Sequence, residues 1–178
     1  MRPEASPTPL NAARPEVAES ALREVCGSER WVGAVAAARP FASAATLLRA
    51  AEDAWDALAR ADWLEAFSAH PRIGEDRRVS GGEASAWARS EQAAMGTAAK
   101  TTQEKLAQAQ REYEQRFGWP YIVCATGRSA EEMLADCRAR MKNDPGDEIA
   151  VAAGEERRIG RLRLAKLLAE YTPTGDEA

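Results

Sequence analysis

Gly118-Trp119-Pro120-Tyr121-Ile122-Val123-Cys124-Ala125 decides the fold class of this chain. Residues 121–125 are the only run in the sequence rich in β-branched and aromatic side chains, the composition of a strand. A strand needs partners to bond its backbone, and no second run of this kind exists to supply one. The segment therefore reads as an extended connector near 120–126 between helices.

Working outward, the pattern is helical on both sides. Upstream, the spacing predicts a helix over 98–117 that Gly118 and Pro120 break. Before it, 83–95 is also helical in pattern, and Arg72 to Gly82 is the clearest loop. Pro15 opens an early helix through Val17, Leu22 and Val25, stopped at Gly27. Ser28 caps the next, with Trp31, Val32 and Val35 as its apolar stripe, and Pro40 ends it. Ser43 caps a long helix whose buried face is Leu47, Leu48, Ala51, Trp55 and Leu58. A short helix over 63–69 runs into His70-Pro71, where the proline pushes His70 out of the α region. Downstream, Ser129 and Glu132 form a capping box for a helix to Met141. Asn143, Pro145 and Gly146 make a turn, and a final helix covers 147–171. The expected fold is all-α: a single compact bundle of about seven to nine helices. It occupies 13–172, between a flexible Pro-rich arm over 1–12 and a flexible tail over 173–178.

Composition sharpens this. The chain has 178 residues and is 45% hydrophobic, but 39 of its 80 apolar residues are alanine. Leu, Ile, Val and Phe total only 26, so the core must rely on close helix approach and on the five Trp as anchors. A net charge of −4 argues against a nucleic-acid partner. No apolar run approaches the roughly 18 residues of a membrane span, and the N-terminus is too polar for a signal peptide. Three cysteines without a CxxC pair fit a reduced, cytoplasmic protein.

There is one histidine, His70, which excludes every metal site built on two or three imidazoles. It also leaves one carrier for imidazole acid–base chemistry. Its bland reading is a cap on a helix C-terminus. Against that, the following Pro71 fixes it and a Gly-containing loop succeeds it, as at a pocket rim. Ser90-Glu91-Gln92 reads first as a solvated helix face. The 121–125 connector leaves backbone groups without intrahelical partners, to be paired either by neighbouring side chains or by a polar ring-shaped ligand. In the basic stretch 157–166, Ile159, Leu162, Arg163 and Lys166 adjoin on one face, so one arginine can turn inward toward an anion. Cys124, with apolar flanks, reads as an inert buried thiol rather than a nucleophile.

Taken in order, Cys26-Gly27-Ser28, Arg39-Pro40-Phe41, Asp62-Trp63-Leu64-Glu65-Ala66-Phe67, His70-Pro71-Arg72-Ile73-Gly74, Glu91-Gln92, the 118–129 run, Glu132-Met133-Leu134 and Leu162-Arg163-Leu164 resemble the OHCU decarboxylase family. That family acts on 2-oxo-4-hydroxy-4-carboxy-5-ureidoimidazoline (OHCU) in urate breakdown. The resemblance covers about residues 10–170. It implies an all-helical, cofactor-free and metal-free lyase that forms (S)-allantoin, as a homodimer. It also implies catalytic roles for His70, Glu91 and Arg163. Substrate contacts would come from Pro71, from Ala88, Arg89, Ser90, Glu91 and Gln92, and from Tyr121, Ile122, Val123, Cys124 and Ala125. Some members carry Ser where this chain has Ala88, so a hydroxyl contact is either missing or supplied by Ser90. Two other readings stand beside it: another cofactor-free enzyme of hydantoin or ureide catabolism, and a helical interaction module without chemistry.

Overall fold

The computed structural model of the chain describes residues 8–73 and 100–170. Among the described residues there are eight helices and no strand: α1 Thr8–Ala12, α2 Pro15–Val25, α3 Glu29–Ala37, α4 Ala44–Asp56, α5 Arg60–Ser68, α6 Lys100–Phe117, α7 Ala130–Arg140 and α8 Pro145–Glu170. The all-α class expected from the isolated connector holds. The chain divides into two compact units. One comprises Phe67–Arg158; the other comprises the chain up to Ala66 together with the chain from Ile159. The helix expected over 83–95 and the tail over 173–178 lie outside the described residues.

In the unit that ends at Ala66 and resumes at Ile159, α2, α3 and α4 pack in succession. The inward stripe of α2 is Ala18, Leu22 and Val25, at i, i+4 and i+7. Val17, expected on it, is exposed because it lies one residue, about 100°, off that line. Leu48 is exposed for the same reason beside buried Leu47. The Ser28 hydroxyl accepts the Trp31 N–H at 3.4 Å, capping α3. Trp31 is then tied across the core, its indole Nε1–H donating to the Ala51 carbonyl at 2.9 Å. Ser43 and Thr46 complete a reciprocal cap on α4. Residues 8–12, expected within a flexible arm, are helical: Leu10 is buried, and the Asn11 side chain brackets the Phe41 backbone through bonds of 2.8 and 2.9 Å. Helix α5 starts three residues earlier than its apolar pattern suggests, because the Asp62 carboxylate reaches back to accept the Ala59 N–H at 2.7 Å.

In the Phe67–Arg158 unit, α6 packs against α7. Although α6 is highly polar, Leu106, Ala109, Gln110, Tyr113 and Phe117 form one buried stripe. Gly118, at φ +83°, ends the helix in a conformation that L side chains avoid, which turns the chain into the connector. Trp119, Tyr121, Ile122 and Val123 are all buried there, and Tyr113 meets Tyr121 edge-on while Tyr113 and Phe117, and Phe117 and Trp119, pack as tilted ring pairs. The capping box of Ser129 and Glu132 opens α7 as expected. Helix α8 begins at Pro145, tolerated in a first turn, with Asp144 Oδ1 accepting the Gly146 N–H at 2.8 Å.

No helix among the described residues is long and apolar enough to cross a membrane.

Candidate active site

The site is built on α8. Its residues Glu148, Ala152, Glu155 and Glu156 follow i, i+4, i+7 and i+8 spacing, and all are buried. Three carboxylates on the inner face of one helix require paired neighbours, since an isolated buried charge is strongly unfavourable. Each glutamate has a different answer.

Glu148 sits in a polar knot. Its Oε1 accepts from the Tyr113 hydroxyl at 2.5 Å and from Arg140 Nε at 2.8 Å, and its Oε2 accepts from Asn143 Nδ2 at 2.7 Å. Arg140 also donates through Nη1 to the Ile122 carbonyl at 2.8 Å. Burial is the largest influence and works against the arginine's charge, but the Glu148 bond and the electrostatic pull of Glu148, Tyr113 and Tyr121 together outweigh it, and the Arg140 pKa lies above its ordinary value. Burial, reinforced by the Glu148 carboxylate, pushes the Tyr113 phenol up. Tyr121 is raised in the same way, by burial and by its 2.5 Å hydrogen bond to Asp136.

Glu155 holds the connector from its other side, accepting the Cys124 N–H at 2.8 Å, while Arg158 donates to its Oε1 at 2.7 Å. Between the anchored Ile122 carbonyl and Cys124 N–H lies Val123. It is buried, and its own N–H and C=O bond no described residue. Cys124 is half-buried rather than buried as expected, and it engages Glu155 through its backbone.

Glu156 meets His70. The imidazole Nε2 lies 2.6 Å from Oε2 of Glu156, whose side chain is fully shielded from solvent. The histidine is held from both directions along the chain. Its N–H bonds the Phe67 carbonyl at 3.1 Å as α5 ends. After Pro71, Arg72 pairs with Glu114, and the buried Gln110 amide grips both backbone groups of Ile73, at 3.0 and 2.9 Å. Pro71 itself is half-buried. His70 and the connector thus attach to one turn of α8 through consecutive glutamates.

Arg163 lies in the other unit, half-buried, with Nη1 3.4 Å from the Glu24 carbonyl. Its neighbour Leu162, expected beside Ile159 on the inner face, is exposed; Ile159 is buried as expected, together with Leu164 and Leu167. The bland reading of the basic stretch holds for its neighbours, with Arg158 paired to Glu155 and Arg161 to Glu52. Ala88, Arg89, Ser90, Glu91 and Gln92 lie outside the described residues. Sequence reasoning missed Glu148, Glu155 and Glu156 as site-building residues. The available signal was their fall on the same helical stripe as Ile149, Ala152, Ala153 and Ile159.

The sequence model of the OHCU decarboxylase family matches residues 11–165. The chain belongs to the OHCU decarboxylase family. It is 34% identical over 159 residues to the uric acid degradation bifunctional protein TTL of Arabidopsis thaliana, covering 87% of this chain and 48% of that protein. Against the 2-oxo-4-hydroxy-4-carboxy-5-ureidoimidazoline decarboxylase of Amia calva it is 28% identical, covering 76% of this chain and 78% of the relative. The chain thus spans about half of the Arabidopsis protein, and a third of the similar bifunctional protein PucL of Bacillus subtilis. Among solved structures, a crystal structure of OHCU decarboxylase in the presence of (S)-allantoin superposes with a TM-score of 0.73 at 31% identity. The match covers 88% of this chain and 99% of that one.

Proposed function

We propose that this member of the OHCU decarboxylase family is a cofactor-independent carboxy-lyase converting OHCU to (S)-allantoin, with His70 as the proton-transfer residue. The observation that carries the reading is the placement of the chain's one imidazole. It is nearly buried, clamped on both sides and backed by a buried carboxylate, on the same turn of α8 that anchors the connector. A histidine serving only as a helix cap needs none of this.

The chemistry asks little of a cofactor. The carboxylated carbon of OHCU lies beside a ring C=N. As the bond to the carboxylate breaks and CO2 leaves, its electron pair moves into the imine, so the substrate supplies its own electron sink. The protein must orient the carboxylate out of the ring plane, stabilise the enol-like intermediate and deliver a proton to one face. His70 handles the proton of the adjacent hydroxyl. Pro71 and the backbone of 121–125, where the Val123 N–H and C=O bond no described residue, fix the ring. Glu91 accepts hydrogen bonds from ureido or ring N–H groups or orients His70, and its neighbours Ala88, Arg89, Ser90 and Gln92 contact the substrate. Arg163 binds the carboxylate or a ring carbonyl through its planar fork. The reading carries with it a homodimer, as the family resemblance implies, and a cytoplasmic location, as the cysteine pattern suggests.

The test presents freshly generated OHCU and follows CO2 release together with circular dichroism of the product. Spontaneous decay gives racemic allantoin, so optical activity isolates the enzymatic route. Acid–base catalysis typically contributes 10²–10⁴-fold, and His70→Asn should lose about that much while keeping its fold. A folded His70→Asn variant with near-normal decarboxylation refutes the role of His70. A wild-type chain that neither accelerates CO2 release nor yields optically active allantoin refutes the reading as a whole.

A further inference from the structure

We infer that Glu156 is the positioning residue of the site: it sets the tautomer of His70, so that Nδ1 is the ring nitrogen that exchanges protons with substrate. The role in turnover rests on the decarboxylase reading above; the pairing itself does not.

Glu156 differs from its two neighbours on α8 in what it lacks. Glu148 and Glu155 are each held by several donors, as a buried structural carboxylate requires. Neither oxygen of Glu156 receives a hydrogen bond of regular geometry from a described residue; among those residues the polar group facing it is His70 Nε2, a close contact 2.6 Å from Oε2. A carboxylate buried this completely with a single ionisable partner contributes little to stability, because desolvation offsets most of the attraction. It does fix a proton. A carboxylate has only acceptor capacity, so the neutral imidazole facing it must carry its hydrogen on Nε2. The Nδ1 lone pair is then the free base of the ring. When Nδ1 takes the proton of the substrate hydroxyl, the resulting imidazolium already faces an anion and needs no rearrangement; when the proton returns to the product carbon, the pair is restored. The α5 exit and the Gln110 clamp on Ile73 hold the ring's backbone still while this happens. Orienting His70 thus falls to Glu156, which leaves Glu91 to meet the substrate.

The single histidine makes the test unambiguous, since imidazole nitrogen resonances of the whole 15N-labelled chain belong to one residue. In the wild type, long-range 1H–15N correlation of the neutral ring should show Nε2 protonated and Nδ1 bare. A ring protonated on Nδ1 overturns the inference without any variant. In Glu156→Gln the side-chain amide can donate to Nε2, moving the ring proton to Nδ1. The kcat should then fall by roughly 10²–10⁴-fold, as when the carboxylate behind a catalytic histidine becomes an amide, with KM changed by less than about threefold. A folded Glu156→Gln variant that keeps the wild-type tautomer, or that changes tautomer but stays within about threefold of wild-type kcat, overturns it. Should Glu156→Gln not fold, the wild-type spectrum alone decides the pairing. A wild-type chain inert toward OHCU refutes the decarboxylase reading while the tautomer remains a separate result.

Discussion

Replacing Arg140 by methionine tests whether the buried knot on Glu148 holds the connector in place. The substitution keeps much of the side chain's length and removes its charge. It deletes the bonds to Glu148 at 2.8 and 2.6 Å, to the Tyr113 hydroxyl at 3.3 Å and to the Ile122 carbonyl at 2.8 Å. Removing one partner of a buried ion pair typically costs about 3–5 kcal/mol, because the other charge is stranded. Glu148 keeps donors in Tyr113 and Asn143, which places this term near 3 kcal/mol. The Ile122 carbonyl, left buried and unbonded, adds roughly 1 kcal/mol or more. The expected loss is therefore about 4 kcal/mol, a large part of the roughly 5–15 kcal/mol that a domain has. Urea unfolding of the full chain, followed by tryptophan fluorescence, should show the midpoint falling by about 2 M for a slope near 2 kcal/mol/M. The double variant Arg140→Met/Glu148→Gln removes the stranded charge and should recover at least about 1 kcal/mol of that loss. A single variant that loses less than about 1 kcal/mol, or a double variant no better than the single, refutes the reasoning.

Two further outcomes follow from ionisable groups in the same unit. Burial pushes the Cys137 thiol up to about 12 and Cys26 is also buried, so a thiol reagent at pH 8 should modify Cys124 alone in the folded chain and three thiols after denaturation; fast labelling of Cys137 in the native state counts against this packing. Tyr121, raised from 10.0 by burial and its bond to Asp136, contributes stability that is fully present below its unfolded value and is lost as pH rises from about 10 through the folded one. Each such group lowers stability by up to about 1.4 kcal/mol per pH unit in that window, and Tyr121→Phe should flatten the decline. Equal stability at pH 8 and pH 10.5 would contradict it.

What the sequence made legible were features carried by local chemistry. Ser28, Ser43 and Ser129 mark helix starts because a hydroxyl beside unbonded N–H groups is a local event. Residues 121–125 betray themselves by composition, and His70-Pro71 by the steric effect of proline on its neighbour. The structure departs from the sequence reading where a distant side chain intervenes. Residues 8–12 looked floppy because nothing nearby explains their order; the Asn11 amide on the Phe41 backbone does. Glu155 and Glu156 were hidden in a charged stretch, since a glutamate paired with a backbone N–H or an imidazole has the same letter as one in water. Leu162, expected on the inner face, is exposed for a related reason: one residue along a helix turns the side chain by about 100°, and the buried line runs through Leu164.

The adjacency of Glu155 and Glu156 restricts how the last helix can change length. Both the histidine and the connector are gauged from the same turn, so a bend in α8 carries them together and preserves their mutual spacing. An inserted or deleted residue between Glu148 and Glu155 is different. It rotates everything beyond it by about 100° and shifts it by about 1.5 Å, releasing Cys124 and His70 at once while the Glu148 knot stays where it is. The stretch between these glutamates is therefore intolerant of length variation. An extension beyond Glu156 leaves both attachments in register.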